Sequence, residues 1–314
     1  MDVLIDTDPG GDDAIALMWL ASLMRQGRLR IVAVSTAAGN VGSEMTYRNA
    51  AGILALCGLG EIPVGVSTCA HAPRDAAEVH GDDGLGGFAD TLPEPAMPID
   101  AAPRSDSLLA QHLQNPLSAP QLLAVAPLTN LACAEAAVPG ILNRAQNLFV
   151  MGGSLGKGNI TSSAEFNFFC DPASAARVLS ARQQTRLVTL DTSRSLRLAD
   201  RLVAKIVAGH SKHAAARFFA GLCRFMSQRD SRLSGGRSSP GFPVHDASTV
   251  AWLVYPEFFE SRPCQLSIVT RDGKHVGQLR EAAGPQSASC RVATRIAGDA
   301  LLERMADDLK TLFS

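Results

Sequence analysis

The stretch Val3-Leu4-Ile5-Asp6-Thr7-Asp8-Pro9-Gly10-Gly11-Asp12-Asp13-Ala14 runs from a short apolar strand through a Pro-Gly turn straight into a segment of helical period. It sets four carboxylates, Asp6, Asp8, Asp12 and Asp13, within eight residues at the C-terminal edge of that strand. Unneutralised, such groups repel and raise one another's pKa. Capping of the following helix, where negative charge meets the N-terminal dipole, accounts for Asp12 and Asp13. It leaves Asp6 and Asp8 unexplained, so a cation site is the better reading. An all-oxygen donor set without His or Cys suits a hard ion such as Ca2+ or Mg2+ rather than zinc.

Outward from this point, short aliphatic runs alternate with segments that bury one helix face. Arg30 to Ser35, Gln121 to Val125, Asn147 to Met151 and Thr185 to Leu190 read as strands. Asp13 to Arg25, Ser43 to Cys57, Ser107 to Gln114, Thr129 to Val138 and Pro172 to Ala181 read as the helices between them. The alternation predicts an α/β fold with a mainly parallel central sheet covered by helices on both faces. Beyond Asp191 come two expected helices, Leu198 to His210 and Ala214 to Arg229, then a Ser/Gly/Pro-rich stretch, Ser231 to Pro243. No composition shift accompanies that stretch, so it is expected to be a mobile lid loop within a single domain spanning 1–314. Three strand-like pieces, Leu266 to Thr270, Val276 to Leu279 and Arg291 to Ile296, precede a last helix, Asp299 to Phe313.

Composition excludes several classes. With 29 basic and 30 acidic residues the formal charge is −1, which offers no electrostatic footprint for nucleic acid. The longest apolar stretches, Ala14 to Met24 and Leu122 to Leu128, fall short of the roughly 18 to 20 residues a bilayer span needs. The acidic start Met1-Asp2 lacks the basic flank of a signal peptide. The seven scattered cysteines fit neither a disulfide framework nor a metal knuckle. A cytoplasmic protein with reduced, mostly buried thiols is expected.

The opening stretch resembles the DxDPGxDDA signature of the nucleoside hydrolases. Further blocks continue the likeness: Ala38-Gly39-Asn40, His80-Gly81-Asp82-Asp83-Gly84-Leu85-Gly86, Pro127-Leu128-Thr129-Asn130-Leu131-Ala132, Met151-Gly152-Gly153, Gly158-Asn159 through Glu165-Phe166-Asn167, Asp171-Pro172 and Val244-His245-Asp246. The resemblance implies a Rossmann-like fold, Ca2+ as cofactor, a nucleoside as substrate and a homodimer or homotetramer. It further implies that Asp8 both ligates Ca2+ and acts as general base, that Asp13 and Asp246 are ligands, and that the Val125 carbonyl is another. Asp12, Asn40, Asn159, Glu165 and Asn167 would hold the ribose hydroxyls. His80 would touch the ligand and His245 would assist the departing base.

The chemistry stands without the family. A ribosyl C–N bond breaks through an oxocarbenium-like state, so the site must orient a nucleophile on one face of the sugar and help the base leave. A divalent cation acidifies a bound water, and an adjacent carboxylate takes its proton. Asn40 and Asn159 each follow a Gly, which in isolation marks a turn, but the surrounding blocks favour a ligand role. Glu165 and Asn167, one residue apart, would project to one side of an extended segment, with Phe166 and Phe168 on the other. Gly11 stands where the family carries a larger side chain, and Phe225 to Pro243 contains no Tyr or Trp. The preferred base is therefore not legible, although His245 argues against the branch that stacks purines between tryptophans. Trp19 and Trp252 fall in apolar helical patterns and are expected in the core. Two rival functions fit less of the sequence. A haloacid-dehalogenase-like phosphatase shares only the first Asp-x-Asp, and a catalytically weak paralogue that binds a ribosylated ligand would not need every reactive residue to be present.

Overall fold

In the computed structural model, which describes residues 1–69, 76–182, 184–237, 239–271, 273–282 and 290–314, the opening apolar run forms strand β1 (Asp2–Thr7) and the acidic turn feeds helix α1 (Gly11–Arg25). In chain order there follow β2 (Arg30–Thr36), α2 (Ser43–Leu56), β3 (Val64–Gly65), α3 (Ala77–His80), α4 (Ser105–Gln114), β4 (Gln121–Ala124), α5 (Thr129–Ala137), β5 (Asn147–Met151), α6 (Phe166–Cys170), α7 (Pro172–Ala181), β6 (Thr185–Val188) and α8 (Leu190–Ser193). The remainder comprises β7 (Arg197–Leu198), α9 (Asp200–Val207), α10 (Ala214–Leu233), β8 (Phe242–Pro243), α11 (Ala247–Val254), β9 (Phe259–Cys264), β10 (Leu266–Ile268), β11 (Leu279–Glu281), β12 (Cys290–Ile296) and α12 (Gly298–Lys310).

Eight strands form the central sheet in the order β3-β2-β1-β4-β5-β6-β12-β9. All neighbours are parallel except the edge pair β12 and β9, which is antiparallel. Two hydrophobic clusters flank the sheet, one containing Ile15, Trp19, Phe219 and Trp252 and the other Leu109, Leu131, Phe168 and Leu179. The expected α/β architecture, with additional C-terminal strands, is what the chain adopts.

Helix α1 explains its own sequence. Every residue from Gly11 to Leu23 is buried, because α2, α10, α11 and α12 all meet it, and a helix enclosed on all sides is apolar all round. The indole N–H buried in its middle is satisfied: Trp19 Nε1 donates to Asp308 Oδ2 at 2.9 Å, and Arg28 and the Tyr255 hydroxyl also donate to that carboxylate. Trp19 and Trp252 are core residues, as their pattern implies.

The differences lie in short elements. The expected helix from Leu198 begins at Asp200, because Arg197 and Leu198 pair with Phe242 and Pro243 as β7 and β8. The stretch Ser231 to Pro243 is less loop-like than its composition: Ser231 to Leu233 finish α10, and its last two residues are β8. Position 238 of that stretch lies outside the described residues, as do His71 and positions 272 and 283–289 around the C-terminal strands. Glu165 to Asn167 is not extended, since Phe166 starts α6.

Candidate active site

The C-terminal ends of β1, β2, β4 and β5 open into one cleft, the edge where parallel sheets bind ligands. It is lined by Asp8, Asp12, Asn40, His80, Val125, Asn159, Glu165, Asn167, His245 and Asp246, together with Met226, Arg229, Leu233 and Phe242. Every candidate site residue except Asp13 lines it, and Asp13 sits directly beneath. One carboxylate oxygen from each of Asp12, Asp13 and Asp246 falls within 4.8 Å of the other two.

Asp13 does cap the helix, as the plain reading of the sequence allows, but it does more. Its Oδ2 accepts the Gly10 N–H at 3.0 Å and Asn40 Nδ2 at 3.0 Å, and its Oδ1 accepts Thr7 Oγ1 at 2.6 Å and the Asp8 N–H at 3.2 Å. Asp8 Oδ2 accepts the Asn40 N–H at 2.7 Å, and the Asp8 carbonyl accepts Asn40 Nδ2 at 3.0 Å. Asn40 thus ties the two aspartates together rather than merely marking a turn. Asp12 Oδ2 accepts the His245 N–H at 3.1 Å, joining the first turn of α1 to the start of α11 across the cleft. Asp6, below the cleft floor, accepts hydrogen bonds on Oδ1 from Ser35 Oγ and, at 2.8 Å, from Asn130 Nδ2. Its Oδ2 is buried without a partner among the described residues.

Burial and mutual repulsion dominate the electrostatics. Burial is the larger cause at each aspartate: it pushes Asp6 and Asp12 up to about 7, carries Asp8 and Asp246 well above the usual carboxylate range and raises Asp13, with the neighbouring aspartates adding to the shift at Asp6, Asp8, Asp12 and Asp246. A cation placed among them would reverse that trend. Burial also lowers His80 and His245 to about 4, so both imidazoles are neutral at pH 7. His80 Nδ1 accepts the Gly11 N–H at 2.9 Å, which places the His80 proton on Nε2. His245 Nδ1 lies 2.8 Å from Ser193 Oγ at the end of α8.

The second wall is built by β4, β5 and α6. Asn167 Nδ2 donates to the Val125 carbonyl at 2.9 Å, fixing the backbone oxygen that the sequence resemblance singles out. Glu165 is the N-cap of α6: its carboxylate accepts N–H groups from Gly153, Asn167 and Phe168 at 2.8, 2.8 and 3.1 Å. Burial raises its pKa against those three donors. Asn159 Oδ1 accepts the Phe166 N–H at 2.9 Å. Phe166 itself lines the cleft with Glu165 and Asn167, because the helical turn removes the two-sided separation an extended strand would give.

Several wall residues carry no sequence signal of their own. Met226, Arg229 and Leu233 come from α10, where spacing alone marks only a buried face. Met226 fills the space vacated at Gly11, since a Cβ there would collide with its Sδ. Asp171, in one of the resembling blocks, serves the fold rather than the cleft, capping α7 through the Ser174 N–H at 3.0 Å and accepting Thr129 Oγ1 at 2.7 Å.

Residues 3–303 match the family described as inosine-uridine preferring nucleoside hydrolase. The pyrimidine-specific ribonucleoside hydrolase RihA of Shewanella baltica (strain OS185) is 34% identical over 280 residues, covering 88% of this chain and 84% of that protein. The non-specific ribonucleoside hydrolase RihC of Klebsiella pneumoniae (strain 342) is 34% identical over 278 residues, covering 86% and 84%. Among solved structures, a purine-preferring ribonucleoside hydrolase from Gardnerella vaginalis superposes with a TM-score of 0.89 at 20% identity, covering 99% of both chains.

Proposed function

The chain belongs to the inosine-uridine preferring nucleoside hydrolase family and is a hydrolase of ribonucleoside N-glycosyl bonds, and we propose that it works with Ca2+, releasing ribose and free base in nucleoside salvage in the cytoplasm. The observation that carries the metal is the meeting of Asp12, Asp13 and Asp246 in a cleft where burial first, and the neighbouring acids second, hold the carboxyl pKa up. A donor set made only of carboxylate and carbonyl oxygens fits a hard cation. Asp8, Asp13, Asp246 and the Val125 carbonyl would hold it. When bound, the ion would polarise the attacking water and lower its pKa.

Asp8, fixed by the Asn40 N–H, would accept the water's proton. Asp12, Asn40, Asn159, Glu165 and Asn167 would hold the ribose, and their oxygens would face the positive charge that develops on the ring. His245 would present a neutral N–H to the departing base, with Ser193 holding the other ring nitrogen and His80 alongside. No helix among the described residues is long and apolar enough to cross a membrane. A homodimer or homotetramer is part of the same reading, and sedimentation showing only a 33.0 kDa species would remove that part.

Reducing sugar released from inosine, uridine and cytidine tests the activity, after chelation and again after Ca2+ or Mg2+ is restored. Turnover that Ca2+ alone restores supports the reading. Turnover indifferent to chelation would overturn the metal assignment, and stoichiometric nucleoside binding without sugar release would favour the ligand-binding paralogue.

A further inference from the structure

Two cysteines that do not line the cleft are brought together where the segment after β3 meets α5. Ser67 Oγ donates to Asn130 Oδ1 at 2.8 Å, joining the segment after β3 to the first turn of α5. Cys69 lies two residues beyond Ser67 and Cys133 three beyond Asn130. Three residues along a helix make nearly one turn and a rise of about 4.5 Å on the same face, a distance two residues of open chain can span. The Cys69 thiol accordingly reaches hydrogen-bond contact with Cys133; burial, Cys133 and Asp106 raise its pKa, and Arg104, itself paired with Asp106 at 2.9 Å, offsets only part of that. Val66 is itself fixed, accepting the Ser105 N–H at 3.0 Å and donating to the Pro103 carbonyl at 2.9 Å.

The other cysteine pairing differs in kind. Cys264 and Cys290 stand opposite each other on β9 and β12, but both are buried, at 3% and 1% exposure. Cys69 and Cys133 are each partly exposed. Of these two pairs, Cys69 and Cys133 combine contact with access for a soluble oxidant.

We propose that Cys69 and Cys133 are a dithiol modification site that closes to a disulfide on reaction with a small-molecule disulfide. One thiolate attacks the small disulfide, forming a mixed disulfide and releasing one equivalent of small thiol. The second protein thiolate then attacks the mixed disulfide, forming the Cys69–Cys133 bond and releasing the second equivalent. Two electrons and two protons pass from the protein pair to the two released thiols. The bond fastens Cys69, beyond β3, onto α5, whose Asn130 holds Asp6.

The site does not depend on the proposed chemistry of the cleft, so its test needs no substrate. The full chain is equilibrated with oxidised glutathione, acid-quenched, denatured and titrated for thiols, and a parallel sample is digested without reductant. Of the seven thiols, two should disappear. The Cys69 and Cys133 peptides should be recovered joined and should separate on reduction, and Cys69→Ser should give no joined peptide. Recovery of both cysteines only as free thiols or as separate glutathione adducts would overturn the proposal. So would a crosslink confined to Cys264 and Cys290.

Discussion

Asp8, Gly11 and His245 each make a separable claim about the cleft. If Asp8 accepts the proton, Asp8→Asn keeps the Asn40 contact yet lowers kcat by at least ~10²-fold, the low end for loss of a general base. Unchanged kcat with raised KM would make it a binding residue only. Gly11 and Met226 form a matched pair, because a Cβ at position 11 would collide with Met226 Sδ. Gly11→Ala should therefore push Met226 into the cleft and lower kcat/KM for nucleosides, on the order of tenfold, and Met226→Ala in the same chain should recover most of it. Additive losses would show the two positions to be independent. His245→Ala should lose most activity on inosine or uridine but keep it on p-nitrophenyl riboside, whose leaving group needs no donor. Ser193→Ala should follow the same split by roughly fivefold, the worth of one neutral hydrogen bond of about 1 kcal/mol. Equal losses on both substrates would mean that the pair shapes the ribose or metal pocket.

At the scale of elements, the sheet strands and the long helices are legible in the sequence and the short cleft elements are not. The strands β1, β2, β4 and β5 declare themselves as aliphatic runs, as strands buried on both faces do, and the helices α1, α2 and α7 carry enough residues for a period to show. Over the five residues of α6, a period of two and a period of 3.6 cannot be told apart, so the sequence alone puts Glu165 and Asn167 on an extended strand. The acids of the first turn are legible because their repulsion demands an explanation. Met226 and Ser193 are not, because nothing in a Met on an apolar helix face or a lone Ser distinguishes a cleft wall from ordinary packing. The α6 cap yields a prediction of its own. Three buried N–H groups converge on Glu165, so Glu165→Ala should lower unfolding stability by about 1–3 kcal/mol even without substrate, the cost of orphaned buried donors. Urea unfolding measures this, and an unchanged midpoint would reduce Glu165 to a substrate ligand.

For the whole molecule, the acids of the cleft couple folding to the metal. A carboxyl whose pKa is raised by folding holds its proton more tightly folded than unfolded. The stability it confers is therefore complete below the unfolded value near 3.8 and drains away as pH rises toward about 7, the value to which burial pushes Asp6 and Asp12. Asp8, Asp13 and Asp246 shift in the same direction. The chelated protein should thus melt at a higher temperature near pH 5 than near pH 8. Ca2+ competes with protons for these oxygens, so it should add little near pH 5 and most near pH 8. At a hundredfold excess over its Kd, an ion that binds only the folded chain adds about 2.7 kcal/mol, on the order of 5 °C in a protein this long. Thermal melts across that pH range, with chelator and with Ca2+, read both effects at once. The two curves should converge on the acid side and separate on the alkaline side. Parallel curves would mean that these carboxylates do not hold the ion, and a chelated protein most stable at alkaline pH would mean that they ionise without strain and need no cation.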